Sequence, residues 1–447
     1  MHPKISKYLL YLPLQFLRGE NVLGHLSELE KTQWLEPRII KDMQDEKLVK
    51  LLTHAFNNVP YYSKLFKASG IEITGAENIR DVLRKIPILT KKLYSQNIKD
   101  LVSTSKNVKL DHRKTSGSSG TNLNILKSRD TYARMRAIMY RYYRWHGIDI
   151  GDKQARVLGH PTTFLSKFKE DIQDFILNKY RLDPVYLTEK NVLRYFNQLK
   201  KNKVKYLYGY PSAICEVGRI MIVNSLNPKE LNIPIAITTG EILYNHQRKF
   251  IQESFGTKVA NEYGCSELGI IAFECSEGRM HLSDDNLIIE VINESAEDGF
   301  SEILITDLFN YGVPLIRYKI GDLIKLEEAQ TCSCGRGLSV VKEVKGRESE
   351  VITLDGGRKI HTEVFHYIFD AVTEKFGGVE EFRVFGNDSL VFNIQLVVNA
   401  SFSKRTEEFI EEQFKKVLDQ KCRITFEFVK SLEREKTGKL RYFIRKS

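Results

Sequence analysis

The chain has 447 residues, 42% of them hydrophobic and 28% charged, and so describes a soluble globular protein too long for one ordinary core; two domains are expected. No apolar run approaches the ~20 residues a membrane-spanning helix needs, and six cysteines in this length exclude a secreted disulfide scaffold and point to the cytoplasm. A net charge of +11 and a pI near 9.1 call for anionic partners, but the lysines and arginines are spread along the chain, which favours small polyanions over nucleic acid.

From the start, Ile5, Tyr8, Leu9, Leu12, Phe16 and Leu17 recur among Lys4, Lys7 and Arg18 without the apolar core and cleavage site of a secretory signal. The pattern predicts an amphipathic stretch over residues 1–18. It either covers the main domain, the commoner use of such a stripe, or rests on a membrane face as a peripheral contact. Pro13 interrupts a regular helix there. Next come Val59-Pro60-Tyr61-Tyr62 and then Lys114-Thr115-Ser116-Gly117-Ser118-Ser119-Gly120-Thr121. The glycines allow a sharp turn, and amide N–H groups and hydroxyls supply donors to an anionic group such as phosphate. It lacks P-loop spacing.

Tyr132, Met135, Ile138, Met139 and Tyr142 recur at helical spacing within a helix over Ser128–Gly147 that Gly147 can end. Short apolar runs at Arg156–Leu158, Val204–Tyr208, Ile235–Thr238 and Thr257–Ala260 read as buried strands, with helices near Ser212–Asn224 and Asn245–Glu253. This alternation predicts an α/β layered domain with a largely parallel sheet, whose ligands bind beyond the strand C-terminal ends. Tyr208-Gly209-Tyr210-Pro211-Ser212, Thr239-Gly240-Glu241 and Asn261-Glu262-Tyr263-Gly264-Cys265-Ser266-Glu267 all lie close after strands, which predicts a shared cleft.

Leu287–Leu326 alternates in a β-rich pattern and includes Pro314-Leu315-Ile316-Arg317-Tyr318-Lys319-Ile320-Gly321-Asp322. After Gly346-Arg347, strands at Val351–Leu354, Phe382–Phe385 and Leu390–Val398 and helices at Thr362–Lys375 and Lys404–Gln420 predict a small α+β domain. The boundary near Glu343–Lys345 divides the chain into 1–343, a large α/β domain with a β-rich subdomain, and 344–447. Cys275-x5-His281 followed by Cys332-x-Cys334 is a Cys3His set, a closed tetrahedral zinc composition, so a structural zinc within 275–334 is expected. Cys215 and Cys422 lie in apolar surroundings and read as packing residues.

Taken in order, the Ser/Gly loop, Thr239–Glu241, Asn261–Glu267, Arg317–Asp322 and Lys436-Thr437-Gly438-Lys439-Leu440 resemble the adenylate-forming superfamily. Val59–Tyr62 and Pro314–Tyr318 narrow the resemblance to phenylacetate–coenzyme A ligases and their relatives in capsule and surface-polysaccharide clusters. It spans about Leu51 to Lys439. The resemblance implies that Ser116, Gly117, Ser118, Ser119, Gly120 and Thr121 hold the β- and γ-phosphates of ATP. Many members carry Lys-Pro after that loop; Asn122-Leu123 stand here, so no loop lysine is carried over. It further implies Tyr263 and Gly264 on adenine, Gly240 and Glu241 at the adenine-side turn, Glu267 as a Mg²⁺ ligand and Asp322 on the ribose hydroxyls. Arg347 is either a nucleotide contact or an interface ion pair. Lys439 corresponds to the catalytic lysine, carried by a small domain that closes and then rotates about a hinge near Glu343–Lys345. Relatives also have a comparable Cys/His arrangement, in line with zinc.

The acyl pocket falls to Tyr208, Tyr210, Pro211 and His160, aromatic walls that suit an aryl or medium-sized acid. His160 can equally be a simple loop residue. The implied activity is carboxylate activation through an acyl-adenylate, then transfer to coenzyme A. Two other readings stay open: delivery of the acyl group to an amine or hydroxyl of a surface-polysaccharide precursor, and a nucleotide-binding protein without catalysis. ATP, pyrophosphate and coenzyme A are polyanions that account for the positive charge.

Overall fold

The structure is a computed structural model that describes residues 1–73, 78–105, 110–114, 124–159, 164–293, 299–327, 332–347, 351–353, 359–362, 364–387, 390–435 and 437–446. Two compact units emerge, the first built from Met1–Lys153, Phe175–Asn178 and Ala260–Val344, the second from Gln154–Asp174, Lys179–Val259 and Lys345–Ser447.

In the first unit, helices Pro37–Asn58 and Pro60–Ala68 pack against a largely antiparallel sheet. Proline at each helix start gives up no backbone bond there, since the first-turn N–H groups have no intrahelical partner. Leu48, Leu51, Phe66, Leu287, Ile303 and Ile305 are among the fully buried side chains of this core. The β-rich expectation is met by strands Leu287–Ile292, Ser301–Asp307 and Tyr318–Leu326, paired antiparallel in sequence. The two motifs that narrowed the resemblance meet inside this unit: the buried Tyr62 hydroxyl donates to the Pro314 carbonyl at 3.0 Å and accepts from the Ile316 N–H at 3.3 Å.

The expected helix over Ser128–Gly147 is Arg129–Arg144, capped by Ser128, whose side chain accepts from the Thr131 N–H; Gly147 then turns with φ +72°. It carries more charge inward than its apolar period suggests. Arg141 is wholly buried and ion-pairs with the equally buried Asp285, which also accepts from the Thr32 hydroxyl at 2.7 Å.

In the second unit, strands Gln154–Val157, Lys179–Leu182, Tyr206–Gly209 and Ile235–Thr239 are all parallel, as the α/β alternation requires. One face buries Ala155, Val157, Leu207 and Ala236 with residues of helices Glu189–Asn202, Pro211–Val223 and Asn245–Phe255. The C-terminal part of this unit has a four-stranded sheet ordered Arg423–Phe428, Val391–Val398, Val379–Gly386, Phe443–Arg445. Helices Val364–Lys375 and Lys404–Val417 share its core, which buries Phe365, Phe369, Phe392 and Phe414.

Two expectations change. The strand expected at Thr257–Ala260 runs on through the motif, as Lys258–Cys265, and pairs with Gly269–Glu274. Gly264 permits this, because a Cβ there would lie 2.3 Å from the Gly269 carbonyl oxygen. The N-terminal stretch does not cover the main domain with its apolar side. A π-helical turn, Ile5–Tyr11, precedes helix Leu12–Leu17, so Pro13 falls in a first turn; Ile5, Tyr8, Leu9, Phe16 and Leu17 are exposed, while Tyr11 is buried.

Candidate active site

In the second unit the segment Arg434–Leu440 is held by the C-terminal ends of the parallel strands. Arg434 donates to the Ser212 hydroxyl at 2.7 Å and to the Ser212 carbonyl and the Glu381 carboxylate, each at 3.3 Å. Glu381 also pairs with Arg219 at 3.5 Å. Glu241, beyond strand Ile235–Thr239, accepts from the Leu440 N–H at 2.8 Å and from the Ser212 N–H at 3.2 Å. Burial pushes the Glu241 carboxyl above its usual range, with Arg434 and these N–H donors opposing. The Gly438 N–H donates to the Glu435 carbonyl at 2.7 Å and closes the turn.

Two glycines let that turn sit so close. A Cβ on Gly438, whose φ is +84°, would lie 2.3 Å from Pro184 Cγ, and one on Gly159 would lie 2.5 Å from the Thr437 carbonyl oxygen. Lys439 therefore lands on the turn after Thr239: its Cε is 3.5 Å from where a Gly240 Cβ would stand, and its ammonium is 5.6 Å from the Tyr210 ring centre. Lys439, Gly240, Glu241 and Tyr210 are thus brought together. Pro211 is buried at the start of its helix.

Tyr208 faces a group that no sequence pattern marked. Arg181, Arg156 and Tyr208 stand in register on neighbouring strands, and Lys179 lies two residues before Arg181 on the same face. The Arg156 guanidinium is 5.0 Å from the Tyr208 ring centre. Arg181 donates to Asp174 at 2.7 Å and to the Gly159 carbonyl at 2.9 Å. Burial, with Arg156 adding to it, lowers Lys179 to about 7.

In the first unit, the Tyr263 hydroxyl donates to Asp322 at 2.9 Å, joining two residues that lie 59 apart in the sequence. The Tyr318 hydroxyl donates to Glu267 at 3.3 Å. Gly321 has φ +85°, a conformation that suits glycine just before Asp322. Burial pushes the Cys265 thiol up, with Glu267 and Asp322 adding to it. Ser116–Thr121 and His160 lie outside the described residues, as does the side chain of Arg347.

The same unit gathers Cys275, His281, Cys332 and Cys334, whose ligand atoms all lie within 4.8 Å of one another. The Cys275 and Cys332 sulfurs are 3.8 Å apart and Cys334 Sγ is 3.3 Å from His281 Nε2. Sulfurs ~2.3 Å from a tetrahedral zinc stand about 3.8 Å apart, so this spacing suits a metal and not a disulfide. His281 Nδ1 is 3.0 Å from the Leu338 carbonyl, a bond that turns Nε2 toward the thiols.

Residues 352–446 match the family model described as the CapK C-terminal domain. Protein CapK of Staphylococcus aureus is 24% identical over 318 residues, 70% of this chain and 68% of that protein. A phenylacetate–coenzyme A ligase of Thermus thermophilus is 23% identical over 353 residues, 73% of this chain and 74% of that protein. The crystal structure of a 2-hydroxyisobutyryl-CoA ligase in the postadenylation state, in complex with R3-HIB-AMP, superposes with a TM-score of 0.74 at 18% identity, covering 93% of this chain and 91% of that one. The fold is that of the adenylate-forming CoA ligases. The resemblance read from the ordered motifs, to phenylacetate–coenzyme A ligases and their relatives in capsule and surface-polysaccharide clusters, holds over most of the chain.

Proposed function

We propose that the chain is an AMP-forming acid–thiol ligase. A carboxylate oxygen attacks the α-phosphorus of ATP and pyrophosphate leaves; the coenzyme A thiolate then attacks the acyl carbon and AMP leaves. The observation that carries this reading is the placement of Lys439 over Gly240 and Tyr210, with the next backbone N–H fixed by Glu241. Attack of one anion on another needs a cation that follows charge as it moves from carboxylate to phosphate, and a flexible ammonium held at its base supplies it. Likeness to the ligase of known structure and to phenylacetate–coenzyme A ligases supports the same chemistry.

The other roles follow from chemistry. Asp322, aligned by Tyr263, has two acceptor oxygens for a ribose diol, and Tyr263 offers a ring to adenine beside Gly264. Glu267, oriented by Tyr318, is the carboxylate offered to Mg²⁺, which when bound draws charge from phosphate oxygens. Ser116–Thr121 are assigned to the terminal phosphates and Arg347 to the nucleotide on motif grounds alone. Tyr208, Tyr210, Pro211 and His160 are assigned to the acyl group. Cys275, His281, Cys332 and Cys334 hold a structural zinc, since four protein ligands leave no open position. The functional divide is between 1–343 and 344–447; the family model at 352–446 supports a distinct C-terminal domain.

Purified chain with ATP and Mg²⁺ is screened against aryl, aliphatic, hydroxy and amino acids, with and without coenzyme A. Acid-dependent pyrophosphate release is expected, with thioester and AMP formed when coenzyme A is added. ATP binding with no acid supporting turnover would leave a nucleotide-binding protein and overturn the reading.

A further inference from the structure

Two helices in this protein are amphipathic the wrong way round for a free surface. In the N-terminal stretch the side chains turned inward are polar apart from Tyr11, which packs against Tyr140. Ser6 donates to the Ile176 carbonyl at 2.5 Å, Gln15 accepts from Arg136 at 2.8 Å, and the buried Glu20 pairs with Arg18 at 3.0 Å. The side chains turned outward are apolar: Leu9 is 68% exposed, Phe16 83% and Leu17 82%, with Ile5 and Tyr8 beside them. Helix Phe164–Ile176 repeats the arrangement. Asp174 is buried and pairs with Arg181, as does Glu170, while Leu165, Phe168, Ile172 and Phe175 lie exposed at spacings of three and four, the end positions 72% and 69% exposed. Water disfavours both arrangements, and the inward polar partners fix them in place.

We propose that each of these apolar faces, taken on its own, inserts into the headgroup boundary of an anionic bilayer, making this a peripheral membrane protein. Charge selects the bilayer over a second copy of the chain. Lys4 is exposed in the N-terminal stretch, and Lys167 and Lys169 are exposed against Asp171 on the other helix, within a chain of net charge +11. The remaining charges there are committed: Lys7 to Asp149, Arg18 to Glu20 and Asp111, Glu170 and Asp174 to Arg181. A self-associating face would set like charge against like, whereas acidic lipid is complementary. Exposed Tyr8, Phe16, Phe168 and Phe175 put aromatic rings at the depth where bilayers accept them. No helix among the described residues is long and apolar enough to cross a membrane, so the contact is one of resting on it.

Flotation of the full chain with phosphatidylcholine vesicles, with and without phosphatidylglycerol, tests this. Binding to the acidic vesicles alone is expected, weakened by salt. The double variant Phe16→Ser/Leu17→Ser, and separately Phe168→Ser/Phe175→Ser, should each reduce it about tenfold or more. Lys4→Gln with Lys167→Gln and Lys169→Gln should remove the preference for acidic lipid. All these side chains are exposed, so the variants keep the melting temperature and acid-dependent pyrophosphate release of the parent. Failure to float with either vesicle overturns the proposal. So does a concentration-dependent dimer, in sedimentation equilibrium, that the same apolar substitutions dissolve.

Discussion

Glu241 shows how one carboxylate governs a turn 199 residues away. It accepts the Leu440 N–H and the Ser212 N–H, and so fixes the base of the Lys439 side chain. Burial raises its pKa, so its neutral form is the one the fold favours. Stability from this group is complete below its unfolded pKa of about 4.3 and is lost as pH rises through the raised folded value. Glu241→Gln removes that loss while keeping an acceptor oxygen. The variant's melting temperature should fall less than the parent's as pH rises above about 4.3; parallel profiles would show that Glu241 is not the group responsible. The sequence motif identified Lys439 and Gly438 but gave no hint of Glu241 as their anchor, or of Arg434. Both act through partners about 200 residues distant, and no local spacing encodes that.

Among the elements, helix Arg129–Arg144 shows what an apolar period leaves unsaid. Its tyrosines and alanines announce a buried face, yet the same helix buries Arg141 against Asp285. Burial alone would raise the Asp285 carboxyl, but Arg141, Arg134 and the Thr32 hydroxyl hold it below the usual range. Stability from this depressed group is present above about pH 3.9 and is lost as pH falls through the lower folded value. Arg141→Leu strands a buried carboxylate and should cost about 3–5 kcal/mol in urea unfolding. A loss below ~1 kcal/mol would mean that water or another cation reaches Asp285. Three of the four parallel strands were legible as short apolar runs among helical stretches; Lys179–Leu182, which carries Lys179 and Arg181, was not. The continuation of Lys258–Cys265 was not, because its Asn-Glu-Tyr-Gly residues alternate between neighbours on two faces. Nor was the orientation of the N-terminal helix: its period was plain, but only the partners of Ser6, Gln15 and Glu20 decide which side faces in.

For the whole molecule, chain order carried most of the information. Val59–Tyr62 and Pro314–Tyr318, 252 residues apart at their hydrogen bond, form one buried contact. The Cys3His set likewise draws on three separate stretches of one unit. With zinc bound there, gently purified protein should contain about one zinc per chain. Stripping it with a strong chelator in mild denaturant should lower the melting temperature by several degrees. Full stability in metal-free protein would make the four residues a reduced packing cluster. The acid itself is not legible, since its pocket is a matter of shape and not of motif. Arg156, Lys179 and Arg181 share a sheet face with Tyr208, which on the proposed assignment of Tyr208 to the acyl group gives the substrate screen reason to include acids with a second polar group. The most direct measurement is acid-dependent exchange of labelled pyrophosphate into ATP, comparing the parent with Lys439→Ala. A loss of roughly 10²–10³-fold with nucleotide affinity nearly kept is expected. Exchange at the parent's rate would contradict the assignment of Lys439 to adenylate formation.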